Sequence, residues 1–508
     1  MTSILAAHGF KPCPAPFNMA AHVMAQATPL GDKTALCVVG SQGSEDWSFA
    51  ALEAAVRGTA TGLLALGLEP GDIVLMRLGN TVDFPLAYLG ALAAGLVPVP
   101  TAAALTAGEV ASMITTLGPK AILRDPDVAC PDSAQTVSLD TLRAMRDLPP
   151  ADWHMGDPDR LGYTIYTSGT SGKPSAVMHA HRAIWARQMM FDGWYGLRAD
   201  DRVMHAGAFN WTYTLGTGLM DPWTMGATAL IPAAGIPPAA LPGMMQQYQA
   251  TVFAAAPGVY RQILKHHSHL DLPHLRHGLS AGEKLPESLR HGWNAATGLP
   301  IFEAYGMSEC STFISASPTT PARSGTLGRP QNGRHIALVG DDGPVPNGTE
   351  GTIAVHKSDP GLMLGYLGAP DQTAAKYQGD WFMTGDQGVM GEDGQITYLG
   401  RNDDMMNAGG FRVSPIEVEQ SLAKFPGITA VGATEVTVRA DVTVIAAFYT
   451  ADTALDDAAL ALYAQDNLAR YKQPRLYVHV PELPMGANGK LLRRALRAAY
   501  EAQNDRYR

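Results

Sequence analysis

Apolar and polar positions alternate along this chain in two recurring rhythms. The segment SFAALEAAVRGTATGLLALGL (48–68) carries apolar residues at helical spacing, starts on a serine and closes on glycine, so it reads as an amphipathic helix. DIVLMRL (72–78) and KAILRD (120–125) are short apolar runs bounded by charges and read as strands. The rhythm returns further on: TALIPA (228–233) predicts a strand, LPGMMQQYQA (241–250) a helix and TVFAAAP (251–257) a strand. Repeated strand–helix–strand alternation predicts a layered α/β domain with much parallel sheet. Between Ser324 and Gly400 the texture changes. HIALVG (335–340), GTIAVH (351–356) and QITYLG (395–400) are short strands set among Gly, Pro and Asp, which predicts a β-rich subdomain. Beyond Asn402 a tail of about 106 residues mixes a helix, SPIEVEQSLAKF (414–425), with a strand, TVIAAFYT (443–450), and is long enough to fold separately.

One apolar run admits two readings. FPLAYLGALAAGLVPVPTAAAL (84–105) holds no charge over 22 residues, a length that could cross a bilayer. Pro85, Pro98 and Pro100 with Gly90 and Gly95 break it into a short helix, a turn and a short strand, so a buried α/β crossover is expected.

Composition then narrows the class. The 508 residues are 46% hydrophobic and 17% charged, as in a globular enzyme with a large core, and the net charge of −10 disfavours nucleic acid or an anionic membrane as partner. Lys490, Arg493, Arg494 and Arg497 form the best candidate for a local basic patch. Cys13, Cys37, Cys130 and Cys310 make no C-x-x-C pair, so neither zinc nor a redox dithiol is suggested and a reducing compartment, the cytoplasm, is expected. The start, MTSILAAHGFKPCPAP, has no basic region followed by a long apolar one, so no secretory signal is expected.

Five stretches carry candidate chemistry. YTSGTSGKPSAVMH (166–179) packs hydroxyls, glycines and Lys173 into one loop whose amides and hydroxyls can converge on an anion. It is not a Walker loop, because Gly169 and Gly172 stand too close and Pro174 follows the lysine. EAYGMSE (303–309) offers Tyr305 for stacking on a purine, Ser308 for a phosphate and Glu309 for Mg²⁺, which takes oxygen ligands. WFMTGDQG (381–388) presents Asp386, a carboxylate able to accept two bonds from a ribose diol. LGRNDDMMNAGGFRVSPIEVE (399–419) supplies the donor fork of Arg401, two aspartates and a Gly409–Gly410 pair that permits close approach of a ligand. GANGKLLRRALR (486–497) sets Lys490 behind Asn488–Gly489. Read singly, each of the last four fits a plain turn or cap, and the first is only modestly better as a phosphate loop.

Taken in order, the five resemble the motifs of the adenylate-forming superfamily, and the resemblance runs across essentially the whole chain. With SAGEKLP (280–286) and GLMDPWTMGATALI (218–231), they are most similar to the benzoate–CoA ligase and medium-chain acyl-CoA synthetase branches. The resemblance implies a large N-terminal domain of layered α/β sheets with a β-rich subdomain (1–402) and a small hinged α+β C-terminal domain (403–508). It implies an AMP-forming acyl-CoA ligase that uses ATP, Mg²⁺ and CoA on a small carboxylate, and leaves room for a homodimer. Thr167, Ser168, Gly169, Thr170, Ser171 and Lys173 are then expected on the departing phosphates. Gly282, Glu283 and Lys284 flank the adenine, with Tyr305 stacked on it. Gly306, Met307 and Ser308 complete the nucleotide site, and Glu309 is the metal ligand. Asp386 and Arg401 bind the ribose. Lys490, with Thr170 and Glu309, is expected to be catalytic, bridging the substrate carboxylate and the α-phosphate. Asp403 is the hinge, and Gly409, Gly410 and Arg412 are expected to serve CoA, Arg412 by meeting a nucleotide phosphate.

Three departures stand out. The family's G-K-P-K-G reads Gly172–Lys173–Pro174–Ser175–Ala176, one lysine short; Asn407 replaces a second lysine; and Cys310 follows the metal glutamate, where it is expected to back a pocket as a small hydrophobe. For the acid, HAGAFNWTYTLGTG (205–218) corresponds to the family's acyl-pocket helix and brings Phe209, Trp211 and Tyr213. Helical spacing would place 209 and 213 on one face with Trp211 turned away. Such bulk favours a short or compact acid, aliphatic or aromatic. An adenylating enzyme that loads a carrier protein and a nucleotide-binding regulator that has lost catalysis are the alternatives; the absence of a fused carrier domain disfavours the first, and Lys490, Glu309 and Asp386 disfavour the second.

Overall fold

The computed structural model describes residues 2–6, 10–133, 135–167, 175–402, 404–408, 411–439, 442–468, 470–486 and 491–503. The chain divides into two compact units: Leu5–Ile336 with Val355–Phe382, and Met1–Ile4 with Ala337–Ala354 and Met383–Arg508.

The first of these is built on a nine-stranded sheet. Its order is Arg329–Pro330, Ser311–Ser315, Ile301–Met307, His277–Ala281, Val252–Ala254, Arg202–His205, Thr228–Pro232, Thr34–Gly40 and Gly43–Ser48. Strands 301–307 through 34–40 run parallel, and antiparallel strands close each edge. The parallel strands are buried along most of their length, as sheets covered on both faces require, with His205, His277, Ser280 and Glu303 among the enclosed polar exceptions. From Arg202–His205 the next strand in sequence, Thr228–Pro232, is added on one side and Val252–Ala254 on the other. That reversal is a topological switch point, and in open α/β sheets ligands bind beyond the carboxyl ends of strands at such a point.

A second, parallel sheet of four strands holds Val97–Pro100, Ile73–Arg77, Ala121–Arg124 and Thr136–Ser138. The helix expected at 48–68 forms over Phe49–Ala65, with the Ser48 hydroxyl capping the Ala51 amide. It packs Leu52, Val56 and Leu63 into one core with Phe84, Tyr88 and Leu92. The uncharged run 84–105 becomes the buried helix Asp83–Ala93 and the strand Val97–Pro100, as its prolines and glycines predicted. Among the described residues no helix is long and apolar enough to cross a membrane. A third, three-stranded sheet has Ser175–Ala180 at its centre, paired antiparallel with Leu161–Thr167 on one side and Gly365–Tyr366 on the other.

In the other unit, strand Trp381–Met390 pairs antiparallel with Ile396–Arg401. Helix Pro415–Leu422 packs against the long hairpin Ala430–Arg439 and Val442–Thr450, which strand Leu476–His479 extends. Its core joins Val413, Val418, Leu422, Ala433 and Ile445. The expected strands at 335–340, 351–356 and 395–400 are all present, within one residue or so of their predicted ends.

Candidate active site

Three segments converge at the carboxyl ends of the parallel strands. The first leaves strand His277–Ala281 through Gly282, whose φ of +91° suits glycine. Trp211 Cζ2 stands 3.7 Å from where a Cβ of residue 282 would lie. Glu303, in the middle of strand Ile301–Met307 and 3% exposed, holds this loop from beneath: it accepts from the Leu285 amide (2.8 Å) and from Arg290 (3.1 Å). Sequence reading passed over Glu303, although a carboxylate inside the apolar run LPIFEAY was a visible signal.

The second segment is the turn between strands 301–307 and 311–315. Strand Ile301–Met307 runs through Tyr305, with a bulge directly after it. A Cβ on Gly306 would fall 2.1 Å from the Ser311 carbonyl oxygen and 2.5 Å from Thr312 Cα, so only glycine lets the chain double back this tightly. Ser311 closes the turn at φ +61°, a left-handed conformation uncommon for a residue with a side chain.

The third segment locks that turn to strand Ser175–Ala180. The Tyr366 hydroxyl donates to Glu309 Oε1 at 2.7 Å, the Met363 amide donates to the Glu309 carbonyl at 2.8 Å, and His179 Nε2 donates to the Ser308 carbonyl at 2.7 Å. His179 lies on strand Ser175–Ala180 and stacks on Tyr163 (4.9 Å, 15°). Burial pushes its pKa down to about 4, so it is neutral and carries its proton on Nε2. Tyr366 pairs in register with Val177 on the same strand. Neither Tyr366 nor His179 was singled out from sequence, because nothing near either residue marks it.

Cys310 is buried, 3.9 Å from Asp359 and from Arg334, whose own ion pair measures 2.7 Å with both side chains fully enclosed. Burial and the Asp359 charge raise the thiol's pKa well above its ordinary value. It stays protonated and packs as a small apolar group.

At the switch point, the acyl-pocket segment departs from expectation. No helix covers 209–213. Phe209 lies in a turn and the helical stretch begins only at Thr212, with residues Thr214–Met220 wound as a π-helix. The face expected to join 209 and 213 therefore does not form. Phe209, 1% exposed, packs into the core with Phe84, Leu215 and Trp223. Trp211 is not turned away from Tyr213; their rings meet edge to face at 5.0 Å, and His205 packs against both (6.0 and 4.4 Å). Gly207 permits this cluster, since a Cβ there would lie 2.2 Å from Thr214 Oγ1 and 2.7 Å from Trp211 Cε3. Burial lowers the His205 pKa to about 3; Nδ1 accepts from the Gly207 amide, while Nε2 and the Tyr213 hydroxyl are enclosed without partners among the described residues.

Ser168, Gly169, Thr170, Ser171, Lys173, Asp403, Gly409, Gly410 and Lys490 lie outside the described residues. Thr167 ends strand Leu161–Thr167, directly opposite Ser175, and Arg412 lies within strand Phe411–Val413, opposite Asn407. In the unit that holds them, Asp386 and Arg401 face each other across paired strands. The Tyr398 hydroxyl donates to Asp386 Oδ1 at 3.2 Å. Of the candidate basic cluster, Arg493 pairs with Glu419 (2.7 Å) and Asp404 (3.6 Å) and Arg497 with Glu501 (3.1 Å), while Lys490 lies outside the described residues.

Glu309 fits a magnesium ion. Tyr366 occupies Oε1 and Oε2 remains an oxygen donor, while among the described residues no group of three or more His, Cys, Asp or Glu could cage a metal. Mg²⁺ is commonly held by one or two carboxylates together with substrate phosphates, not by an all-protein cage.

Against known proteins, the sequence profile described as AMP-binding enzyme matches residues 23–367. The human mitochondrial acyl-coenzyme A synthetase ACSM2B is 31% identical, covering 96% of this chain and 92% of its own. The benzoate–CoA ligase of Thauera aromatica is 29% identical, covering 85% and 87%. Among solved structures, the anthranilate CoA ligase AuaEII in complex with anthranoyl-AMP superposes with a TM-score of 0.86 at 25% identity, over 96% of this chain and 98% of that one.

Proposed function

The chain belongs to the AMP-binding enzyme family, and from that premise we propose that it joins a small monocarboxylic acid to CoA at the expense of ATP. It is an AMP-forming acid–thiol ligase, and ATP and CoA are its co-substrates. The observation that carries the reading is the knot at Glu309. Strand Ser175–Ala180, the Ser308–Glu309 turn and Tyr366 are bonded into one piece, which ties a candidate oxygen ligand for Mg²⁺ to the strand that follows the hydroxyl-rich stretch in sequence.

The reaction has two halves. In the first, a carboxylate oxygen attacks the α-phosphorus of ATP, the bond to the bridging oxygen breaks, and pyrophosphate leaves on the loop at 167–173. Anion approaches anion, so the step needs positive charge at the right place; Lys490 and Lys173 supply it. Mg²⁺ held by Glu309 supplies further neutralisation of the phosphates when bound. Tyr305 and the Gly282–Lys284 loop hold the adenine, and Asp386 with Arg401 holds the ribose. In the second half the CoA sulfur attacks the acyl carbonyl carbon, AMP departs and the thiol proton is lost to solvent. Water must stay away from the adenylate, a reactive mixed anhydride, and a hinge at Asp403 that swings residues 403–508 serves both demands: it presents Lys490 first and the Gly409–Gly410 segment with Arg412 afterwards.

The acid enters beside Trp211 and Tyr213. The bulk of two rings in contact argues for a compact aromatic or short aliphatic acid in preference to a long chain. Four free cysteines support a cytoplasmic setting. The test is acid-dependent release of AMP and pyrophosphate with ATP, Mg²⁺ and CoA, across acids from acetate to octanoate and a set of benzoates. A preferred acid that consumes CoA stoichiometrically supports the proposal. Pyrophosphate release without CoA consumption replaces it with carrier loading.

A further inference from the structure

Arg187 sits after the short helix Ala183–Ala186, downstream of the strand that leaves the phosphate loop. Its side chain is 12% exposed and takes no part in the two half-reactions above. The guanidinium grips Asp221, itself fully enclosed, through two bonds: Nε to Oδ1 at 2.8 Å and Nη2 to Oδ2 at 2.5 Å. The same Nη2 lies 3.3 Å from Thr217 Oγ1 and from the Tyr195 hydroxyl, and Tyr195 donates to Asp221 Oδ2 at 2.7 Å. Thr217 and Asp221 belong to the helical stretch that starts at the Trp211–Tyr213 pair. Gly216 on that stretch has no space for a side chain, because a Cβ would fall 2.5 Å from Arg187 Nη2.

The third nitrogen points elsewhere. Nη1 donates to Ser311 Oγ at 2.6 Å. Ser311 is the residue at φ +61° that closes the Glu309 turn, two positions after Glu309 itself. One planar, rigid fork therefore spans the acyl helix and the nucleotide turn. The helix at its other end is π-wound, a form found mostly as short insertions and often at functional sites.

We propose that Arg187 is a positioning residue that couples the acyl site to the nucleotide turn, so that a carboxylate bound against Trp211 and Tyr213 changes the affinity for ATP through Asp221, Arg187 and Ser311. The proposal rests on the reading of the two sites given above. A displacement of the helix drags the guanidinium, and the guanidinium is bonded to the turn that carries Glu309. A lysine cannot reproduce this, since a point charge lacks the fork that meets Asp221 and Ser311 together.

The experiment measures the dissociation constant of Mg²⁺ with α,β-methylene-ATP, which cannot lose pyrophosphate, with and without saturating benzoate, by calorimetry. The ratio of the two constants is the coupling factor, and linkage requires benzoate affinity to change by the same factor when nucleotide is added. The wild type is expected to give a factor in the range of about 5–150. Ser311→Ala keeps the Arg187–Asp221 pair and removes only the bond to the turn; Arg187→Lys keeps the charge. Both are expected to bring the factor close to one. A purely structural role lowers the affinities with and without benzoate alike and leaves the ratio unmoved. A wild-type ratio of one, or a Ser311→Ala ratio equal to that of the wild type, overturns the inference. Where Arg187→Lys fails to fold, the Ser311→Ala ratio decides. Benzoate-dependent pyrophosphate release from ordinary ATP, run in parallel, reports on the ligase reading separately: turnover with a ratio of one sinks the coupling and leaves the ligase standing.

Discussion

Removing one hydroxyl, by Tyr366→Phe, tests the metal site most directly. The hydroxyl donates to Glu309 Oε1 at 2.7 Å, and Tyr366 is 5% exposed. A hydrogen bond to a charged group contributes about 1.5–3 kcal/mol. The ring stays, lining one cavity with Met178, Leu364, Thr373 and Tyr377, and the backbone pairing of Tyr366 with Val177 is untouched, so the fold keeps most of its stability. Two effects then oppose each other at the metal. Without its donor the carboxylate has Oε1 open to the metal as well as Oε2, which favours Mg²⁺, but it also becomes free to rotate. Orientation wins, because Mg²⁺ demands near-ideal octahedral geometry and Glu309 is the sole carboxylate proposed for it. At about 1.4 kcal/mol per decade, the lost bond corresponds to roughly a 10- to 100-fold rise in the Mg²⁺ needed for half-maximal rate, the same range seen when groups behind a metal ligand are removed. The assay is ATP–pyrophosphate exchange against Mg²⁺ at fixed ATP and acid, with Mn²⁺ binding followed by electron paramagnetic resonance as a readout free of turnover. Half-saturation within twofold of the wild type in both, with the variant well folded, would refute the placement of Glu309 as the oriented metal ligand.

Three other outcomes are expected. Lys490→Ala nearly abolishes adenylate formation while thioester formation from supplied acyl-AMP largely survives; equal loss in both half-reactions, measured separately, removes Lys490 from the first step. Trp211→Gly widens the range toward longer or bulkier acids, read as kcat/KM across the acid panel, and an unchanged profile assigns Trp211 to packing alone. His179 has a pKa held down to about 4 against an ordinary 6.5, so below pH 6.5 the unfolded chain binds the proton that the folded chain refuses. Its contribution to stability is full above that pH and drains as pH falls toward 4, by roughly 2 kcal/mol at pH 5 from the linkage relation. His179→Gln should flatten the urea midpoint between pH 7 and pH 5 relative to the wild type; parallel curves would mean the imidazole is not held neutral.

The legible parts of this protein are those written in consecutive residues. Helix Phe49–Ala65 shows in its spacing and its serine cap, and strands Ile73–Arg77 and Thr228–Pro232 in apolar runs cut off by charge or proline. The fate of residues 84–105 follows from proline and glycine positions, since both act on the backbone within a residue or two. The acyl segment failed for a reason of the same kind. Spacing arguments presume a regular helix through 209–213, whereas the chain turns at Phe209 and then winds with π geometry, which no residue there announces.

The sequence alone determined the order of the elements and the family and marked five candidate stretches for the chemistry, because propensity, capping and motif spacing are local and survive reading one residue at a time. Only the tertiary structure decided which single polar groups meet. His179 reaches Ser308 across 129 residues, Arg187 reaches Ser311 across 124 and Tyr366 reaches Glu309 across 57. Such pairs leave no periodic trace: a lone histidine, arginine or tyrosine between apolar neighbours reads the same whether its partner is water or a carboxylate. What selects the partner is the sheet order that carries distant strand ends to one edge, together with the cost of leaving a buried donor or acceptor unpaired once it arrives there.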